Sequence, residues 1–370
     1  MKNISILGAG NGGHAMAADL SVRGYKVTLY ELPEFSSKFR KVLESKEIDV
    51  RGYIDEKVKI YNATTDIEEA VSGAELIYVV MPSFGHKKIA YLLAPHVNET
   101  QDVVLMTGNA GSIEVRYIFK ELGKDVTVAE TSTLPYGCRM HASGQVDINI
   151  MTDEVHLAAL PASRTERVLE KVIQTYPTIS ASTNVLETAL DNPNPLIHTT
   201  GVLLNLGRIE YSEGEFYMYN EGITPSVVQV IKKKETERQK IAAAFDLELI
   251  RFEDFASRYT DYKRKNEKVH FLEAGEHGDM KGPQSRHDRY ITEDVPYGLV
   301  LWSSFADLAG VETPLIDSEI YIASVVNCKN YMKNGRNRKN LGIEHMSKDE
   351  ILEFLNNDVT KALNYLSSKK

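Results

Sequence analysis

The sequence predicts an α/β domain with a parallel sheet over residues 1–183, followed by an all-helical domain over residues 184–370. In the first part, short apolar runs alternate with helical segments, which is typical of strand–helix units in a parallel sheet. In the second part, strand-like runs become scarce and helical periodicity dominates. A chain of 370 residues is also longer than one ordinary core requires, so two domains are expected.

Lys2–Leu7 and Lys26–Tyr30 are predicted to be short strands on either side of the first helix. Further strands are predicted from continuous apolar runs that end in turn residues, namely Leu76–Val80, Val103–Met106 and Val126–Ala129. Such continuity is typical of parallel strands that are covered on both faces. Ligands bind at the carboxyl ends of these strands, where the loops with Pro82, Asn109 and Thr133 follow. Val146–Ile150 and Val155–Leu160 are predicted to form a hairpin.

A glycine-rich turn joins the first predicted strand to a helix. It comprises Gly8, Ala9, Gly10, Asn11, Gly12 and Gly13. The order of strand, G-x-G-x-x-G turn and helix is that of a Rossmann dinucleotide-binding unit, in which helix N–H groups face a pyrophosphate. We expect Gly8 to permit the tight turn, Gly10 to admit the pyrophosphate and Gly13 to let the helix pack on the strand. The loops after the later strands should lie beside this turn.

Glu31 bears on the choice of cofactor. It ends the second predicted strand, close to the offset of about 20 residues at which dinucleotide sites carry an acid. A carboxylate there accepts hydrogen bonds from a ribose 2′-hydroxyl and repels a 2′-phosphate. The sequence therefore favours NAD(H) over NADP(H).

Composition excludes several classes of partner. The net charge of −9 argues against nucleic acid and anionic membranes. No apolar run approaches the roughly 18 residues of a membrane span, and the apolar N-terminal segment is too short for a signal peptide. Cys138 and Cys328 fit reduced thiols in a cytoplasmic enzyme. We expect small-molecule partners, and a homodimer and a monomer both suit the sequence.

Two segments of the second half could supply the chemistry that a Rossmann domain does not carry. In the first, His198 is predicted to open an apolar helix after two prolines. In the second, Asp294 lies in an acidic turn before Pro296. From the residues alone, the simpler interpretations are a core histidine and an N-cap. The charged KKKETERQK section is expected to face solvent, in a helix predicted to begin at Pro225 with Thr224 as its N-cap.

A group of histidines in the second half raises the hypothesis of a metal site. His270, His277 and His287 lie among acidic residues. Their spacing matches no common metal template, so no metal is expected.

Several segments together resemble the opine dehydrogenases, the octopine/nopaline dehydrogenase family. The matching segments are ISILGAGNGGHAMAADL, VVMPSFGH, ETSTLPYGCR, NPNPLIHTTG and RYITEDVPYGL, in the family's order. The resemblance implies a Rossmann domain, an all-helical domain and an active site between them. It implies reductive condensation of an α-keto acid, with pyruvate favoured, and the amino group of an amino acid, with NADH as the reductant.

The resemblance also implies roles for individual residues. It makes His198 and Asp294 a proton-transfer pair, and reduction of a C=N bond does need a proton donor beside the reacting atoms. It places Arg289 near the cofactor, and Pro82, in a loop expected beside the glycine turn, is a further candidate for cofactor binding. A salt bridge is a second interpretation of Arg289.

The remaining candidates concern the substrate. Asn109 and Thr133 match polar positions near the keto acid, although some relatives have a glutamine in place of Asn109. Arg139 could bind a carboxylate through its guanidinium or form a structural ion pair.

Two other functions stay open. A simple keto- or hydroxy-acid reductase, of the glycerol-3-phosphate dehydrogenase or ketopantoate reductase type, has a similar architecture but uses a lysine near the reacting oxygen. No lysine lies in a comparable motif here. A non-catalytic NAD-binding redox sensor is the other alternative, and the intact His198, Asp294 and Glu31 argue against it. The sequence leaves the amino acid substrate undefined.

Overall fold

The computed structural model describes residues 2–255, 259–261, 267–269 and 281–357. The chain forms two compact units. Unit 1 comprises Met1–Thr188 with Tyr259–Lys268, and unit 2 comprises Ala189–Arg258 with Val269–Lys370.

Unit 1 is built on two sheets. Their strands are β1 (Asn3–Leu7), β2 (Lys26–Tyr30), β3 (Glu47–Gly52), β4 (Glu56–Lys59), β5 (Asn62–Thr64), β6 (Leu76–Val79), β7 (Asp102–Leu105), β8 (Thr127–Thr131), β9 (Tyr136–Ala142), β10 (Gln145–Thr152), β11 (Val155–Leu160), β12 (Ile179–Ala181), β13 (Tyr259–Asp261) and β14 (Glu267–Val269). Within the described residues, the larger sheet has eight strands in the order β12-β11-β8-β7-β6-β1-β2-β5. Its pairs are parallel except β8 with β11. The predicted α/β domain is confirmed.

Apolar side chains cover both faces of the larger sheet. Ile4 and Ile6 of β1 belong to one buried cluster, and Leu7 belongs to another. Successive side chains of a strand point to opposite faces, so both faces of β1 are buried, as expected for a short buried strand of a parallel sheet. The helices of this unit are α1 (Asn11–Val22), α2 (Ser36–Ser45), α3 (Ile67–Val71), α4 (His86–Leu93), α5 (Gly111–Glu121) and α6 (Thr165–Val172), and α7 (Val185–Leu190) follows them.

The predicted hairpin between Val146–Ile150 and Val155–Leu160 is wrong. β10 lies in the second sheet, whose order is β14-β13-β10-β3-β4 with β9 also on β10. β11 instead joins the larger sheet beside β8 and β12. The burial patterns give the reason: β10 alternates buried and more exposed residues, whereas β11 is almost continuously buried. The first pattern suits a sheet with one solvated face and the second suits a sheet covered on both.

Unit 2 is helical, as predicted. Its helices are α8 (Asn194–Leu203), α9 (Leu206–Tyr211), α10 (Pro225–Ala244), α11 (Phe252–Phe255), α12 (Arg289–Thr292), α13 (Val300–Ala309), α14 (Pro314–Val326), α15 (Tyr331–Asn334) and α16 (Lys348–Asn356), with π-helical segments at Met218–Gly222 and Asp294–Leu299. The strands β13 and β14 are the exception to an all-helical second half. Among the described residues, no helix is both long and apolar enough to cross a membrane.

Candidate active site

The glycine turn has the geometry that its sequence predicts. Gly8 has a φ of +112°, and a Cβ on it would lie 2.3 Å from the Val80 carbonyl oxygen. A Cβ on Gly13 would lie 1.8 Å from the carbonyl oxygen of Gly8, so α1 packs directly on the turn. A Cβ on Gly10 would meet nothing within 4 Å. Packing therefore requires glycine at 8 and 13, while Gly10 borders open space where a phosphate can approach.

Glu31 is held beside this turn by backbone donors. The Ala9 N–H donates to Oε2 at 2.9 Å and the Leu32 N–H donates to Oε1 at 2.8 Å. Burial raises the pKa of Glu31, and the two N–H groups oppose that shift. Each carboxylate oxygen keeps a second lone pair that can accept from a hydroxyl.

The loops after β6, β7 and β8 gather at the glycine turn, as expected. A Cβ on Gly12 would lie 2.8 Å from Val80 Cγ1 and 3.1 Å from Leu134 Cδ1. Pro82 precedes a short 3-10 helix, whose first residue, Ser83, accepts from Asn109 Nδ2 at 3.1 Å. This edge of the sheet thus brings Pro82 and Asn109 together.

Two of the predicted substrate residues lie in the segment after β8. Thr133 is half-buried, and its carbonyl oxygen accepts from Thr131 Oγ1 at 2.9 Å. Arg139 is exposed on β9, at the position paired with Asp147 of β10. Their roles stay predictions.

Glu130 is a site residue that the sequence did not reveal. Its buried carboxylate accepts from the Ala110 N–H at 2.7 Å, the Ser112 N–H at 3.0 Å and the Ser112 hydroxyl at 2.6 Å. Asn109 and Ala110 both have positive φ, 53° and 58°, a conformation that non-glycine residues hold only where their surroundings impose it. Glu130 therefore fixes the loop that presents Asn109.

The other predicted pair lies in unit 2. His198 and Asp294 are buried, and Nδ1 of the imidazole lies 2.7 Å from Oδ2 of the carboxylate. α8 begins at Asn194 after the N-cap Pro193, so His198 lies in its second turn and does not open the helix. Asp294 begins a π-helical segment without capping it, so the N-cap interpretation is wrong. A carboxylate only accepts, so Nδ1 carries the proton and Nε2 of the neutral ring is an acceptor.

Two tyrosines surround the imidazole. The Tyr219 hydroxyl lies 3.3 Å from Nε2 of His198. The ring of Tyr290 stacks on the imidazole, with centroids 3.8 Å apart and planes 7° from parallel. No local sequence pattern connects Tyr219 and Tyr290 with His198.

Arg289 has a half-exposed side chain, which lies 3.7 Å from the Glu293 carboxylate. Glu293 is therefore the partner that the salt-bridge interpretation of Arg289 requires.

A buried ion pair supports the helix that carries His198. The fully buried Lys234 ammonium donates to the Pro195 carbonyl at 2.9 Å, to Thr199 Oγ1 at 2.8 Å and to Glu319 Oε2 at 2.7 Å. Thr200 Oγ1 donates to Glu319 Oε1 at 2.5 Å. Burial lowers the pKa of Lys234, and the Glu319 charge opposes the shift. The expectation that the KKKETERQK section faces solvent is therefore wrong at Lys234, and it is also wrong at the buried Glu237 and Arg238.

Of the three histidines that suggest a metal site, the structure describes His287. His270 and His277 lie outside the described residues, and His287 is exposed. In the part of the chain that the structure describes, no three His, Cys, Asp or Glu side chains are placed to hold a metal ion.

Comparison with known proteins decides the family. Residues 181–327 match the model for the NAD/NADP octopine/nopaline dehydrogenase alpha-helical domain, and residues 3–112 match that for the N-terminus of NAD-dependent glycerol-3-phosphate dehydrogenase. The opine dehydrogenase of Arthrobacter sp. (strain 1C) is 34% identical over 357 residues, which cover 94% of this chain and 96% of that protein. The chain belongs to the opine dehydrogenase family. As a member, it is an oxidoreductase that acts on CH–NH donors and uses NAD(P)(H).

Solved structures of this family share the fold. Octopine dehydrogenase with NADH and pyruvate aligns with a TM-score of 0.72 at 19% identity, over 95% of this chain and 98% of that one. NADP⁺-bound yersinopine dehydrogenase aligns with a TM-score of 0.68 at 14% identity, over 100% and 98% of the two chains. The helical domain that follows the α/β domain is thus a family feature.

Proposed function

We propose that this family member is an NADH-preferring opine dehydrogenase in which His198 and Asp294 transfer the proton. It condenses an α-keto acid, with pyruvate favoured, and the amino group of an amino acid into a secondary amine dicarboxylate. The observation that carries the proposal is the buried hydrogen bond between His198 Nδ1 and Asp294 Oδ2. Pyruvate is favoured because octopine dehydrogenase has been solved with it.

The residues of unit 1 fit a dinucleotide. The open space at Gly10 admits a pyrophosphate, and Glu31 offers acceptor lone pairs beside the turn. Pro82 and Arg289 complete the proposed cofactor set. NADH is favoured over NADPH because a fixed carboxylate repels a 2′-phosphate. When bound, the cofactor supplies the hydride that reduces the C=N carbon.

The chemistry of His198 follows from its hydrogen bond. Asp294 fixes the tautomer with the proton on Nδ1, which leaves Nε2 to take up a proton and deliver it. The carboxylate also stabilises the imidazolium that forms. Reduction of the imine needs one proton for each hydride, and a charged His198 supplies it. Asn109, Thr133 and Arg139 are proposed to bind the keto acid.

A substrate panel tests the proposal. Each amino acid is assayed with pyruvate and NADH. NADH oxidation is followed, and the mass of the product is determined by mass spectrometry. We expect oxidation that needs both the keto acid and the amine. NADH oxidation with pyruvate alone would instead support a simple keto-acid reductase. Tight NADH binding without turnover of any pair would support a redox sensor.

Substitution of His198 tests the catalytic pair. His198→Ala should lower kcat by about 10²–10⁴-fold, the usual contribution of general acid–base catalysis. NADH affinity, measured by fluorescence titration, should be unchanged. His287→Ala, at an exposed position, serves as the control. Near-normal turnover of His198→Ala would exclude its proposed role.

A further inference from the structure

The Tyr219 hydroxyl lies at the nitrogen of His198 that Asp294 does not contact. Its oxygen is 3.3 Å from Nε2, and the residue is 8% exposed. Tyr219 belongs to the π-helical segment Met218–Gly222, a kind of turn that is frequent at functional sites.

Close packing holds this segment against α8. A Cβ on Gly201 of α8 would lie 2.6 Å from Met218 Cε, and a Cβ on Gly222 would lie 2.6 Å from the Phe216 ring. The backbone on either side of Tyr219 therefore has little freedom to move. The segment that carries the Tyr219 hydroxyl is thus packed against α8.

Among the described residues, the Tyr219 hydroxyl lies within hydrogen-bond distance of Nε2. Nδ1 faces Asp294 and one ring face is stacked on Tyr290, so a proton on Nε2 can pass to the oxygen of Tyr219. A hydroxyl has one donor hydrogen and two acceptor lone pairs. It can accept the proton of Nε2 while it donates its own.

We propose that Tyr219 is a further catalytic residue, which relays the proton from His198 to the substrate. This inference rests on the proposed function. In the reducing step, the Tyr219 O–H proton passes to the imine nitrogen as Nε2 of the charged His198 returns a proton to the tyrosine oxygen. The hydride from the cofactor forms the new C–H bond, and the π bond of C=N breaks. His198 ends neutral, Tyr219 is unchanged and Asp294 stays ionised.

Tyr219→Phe tests the relay because it removes one oxygen and keeps the ring. We expect kcat to fall by about 10- to 100-fold, less than the loss of the acid itself because His198 remains. KM for both substrates should change by less than about twofold. Tyr211→Phe, at a position that is 89% exposed, is the matched control. An unchanged or higher kcat would show that the hydroxyl only fills the space before substrate binds, and would overturn the proposal.

A second readout needs neither cofactor nor turnover. In ¹⁵N-histidine-labelled protein, the His198 resonances are assigned by their loss in His198→Asn. We expect the Nε2 resonance to move in Tyr219→Phe and to stay in place in Tyr211→Phe. No movement would mean that the hydroxyl is not bonded to Nε2 and would also overturn the relay. A wild-type protein that turns over no keto acid and amine pair would instead overturn the proposed function.

Discussion

Lys234→Met should destabilise unit 2 strongly, since it removes one partner of a buried ion pair. The ammonium is fully buried, and its hydrogen bonds reach Pro195, Thr199 and Glu319. Without it, the Glu319 carboxylate stays buried and loses its only cationic partner among the residues described for this cluster. Breaking such a pair typically costs about 3–5 kcal/mol.

The expected melting shift follows from the size of the unit. For domains of about 150–250 residues, 1 kcal/mol shifts the melting temperature by roughly 2–4 °C. The transition of unit 2, followed by calorimetry on the whole protein, should therefore fall by roughly 6–20 °C. Adding Glu319→Gln to Lys234→Met should restore part of the lost melting temperature, because the unpaired buried charge is then removed.

Lys232→Met is the matched control on the same helix. Lys232 pairs with Glu253, but these side chains are 44% and 60% exposed. Exposed pairs contribute about 0–1 kcal/mol, so this variant should melt within about 4 °C of the wild type. If Lys234→Met destabilises the protein no more than Lys232→Met does, the ion pair does not support α8.

Three further predictions concern unit 1. Gly13→Ala should lower the melting temperature of unit 1, because the added Cβ would lie 1.8 Å from the carbonyl oxygen of Gly8. Gly10→Ala should keep the melting temperature and weaken NADH binding, because its Cβ would enter the open space beside the turn. Equal melting temperatures of the two variants would contradict the packing argument. Glu31→Ser should reduce the NADH/NADPH ratio of kcat/KM by about tenfold, equivalent to about 1.4 kcal/mol of differential binding; a wild type that prefers NADPH would refute the cofactor argument. Burial lowers the pKa of His14 below 6.5 in the folded protein. As the pH falls, the unfolded chain therefore binds a proton at this imidazole before the folded protein does. The free energy of unfolding consequently decreases as the pH drops below 6.5, by up to about 1.4 kcal/mol per pH unit. His14→Asn should flatten that slope in denaturation measured between pH 5 and 7.

The cofactor half was predictable because its determinants are local. Strand, turn, helix and Glu31 follow within 31 residues, and each signal depends on backbone geometry that short-range sequence dictates. The sheets that β10 and β11 join are not determined locally. These strands are neighbours in the sequence but belong to different sheets. Adjacent apolar runs predict two strands well, but not which sheet each joins.

The catalytic half was accessible only through resemblance. His198 and Asp294 are 96 residues apart, and no periodicity connects them. Lys234 was expected to face solvent because its neighbours are charged. Its partner Glu319 is 85 residues away, and a charged residue is buried only where such a partner is placed by the tertiary fold. Tyr219 carries no sequence signal for the same reason.

The helices α1 and α5 both begin at the ligand edge of the larger sheet, and the structure distinguishes their N-termini. At α5, the N–H groups of Ala110 and Ser112 already donate hydrogen bonds to the Glu130 carboxylate. The negative charge of this carboxylate also interacts favourably with the positive end of the helix dipole. At α1, the N-cap Gly10 offers no side chain, and the first turn contains no acid. Of the two, α1 therefore keeps free N–H groups for a pyrophosphate. Under the proposed function, the Glu130 carboxylate therefore occupies the anion-binding end of α5, and the end of α1 at the glycine turn is the one left for the phosphates.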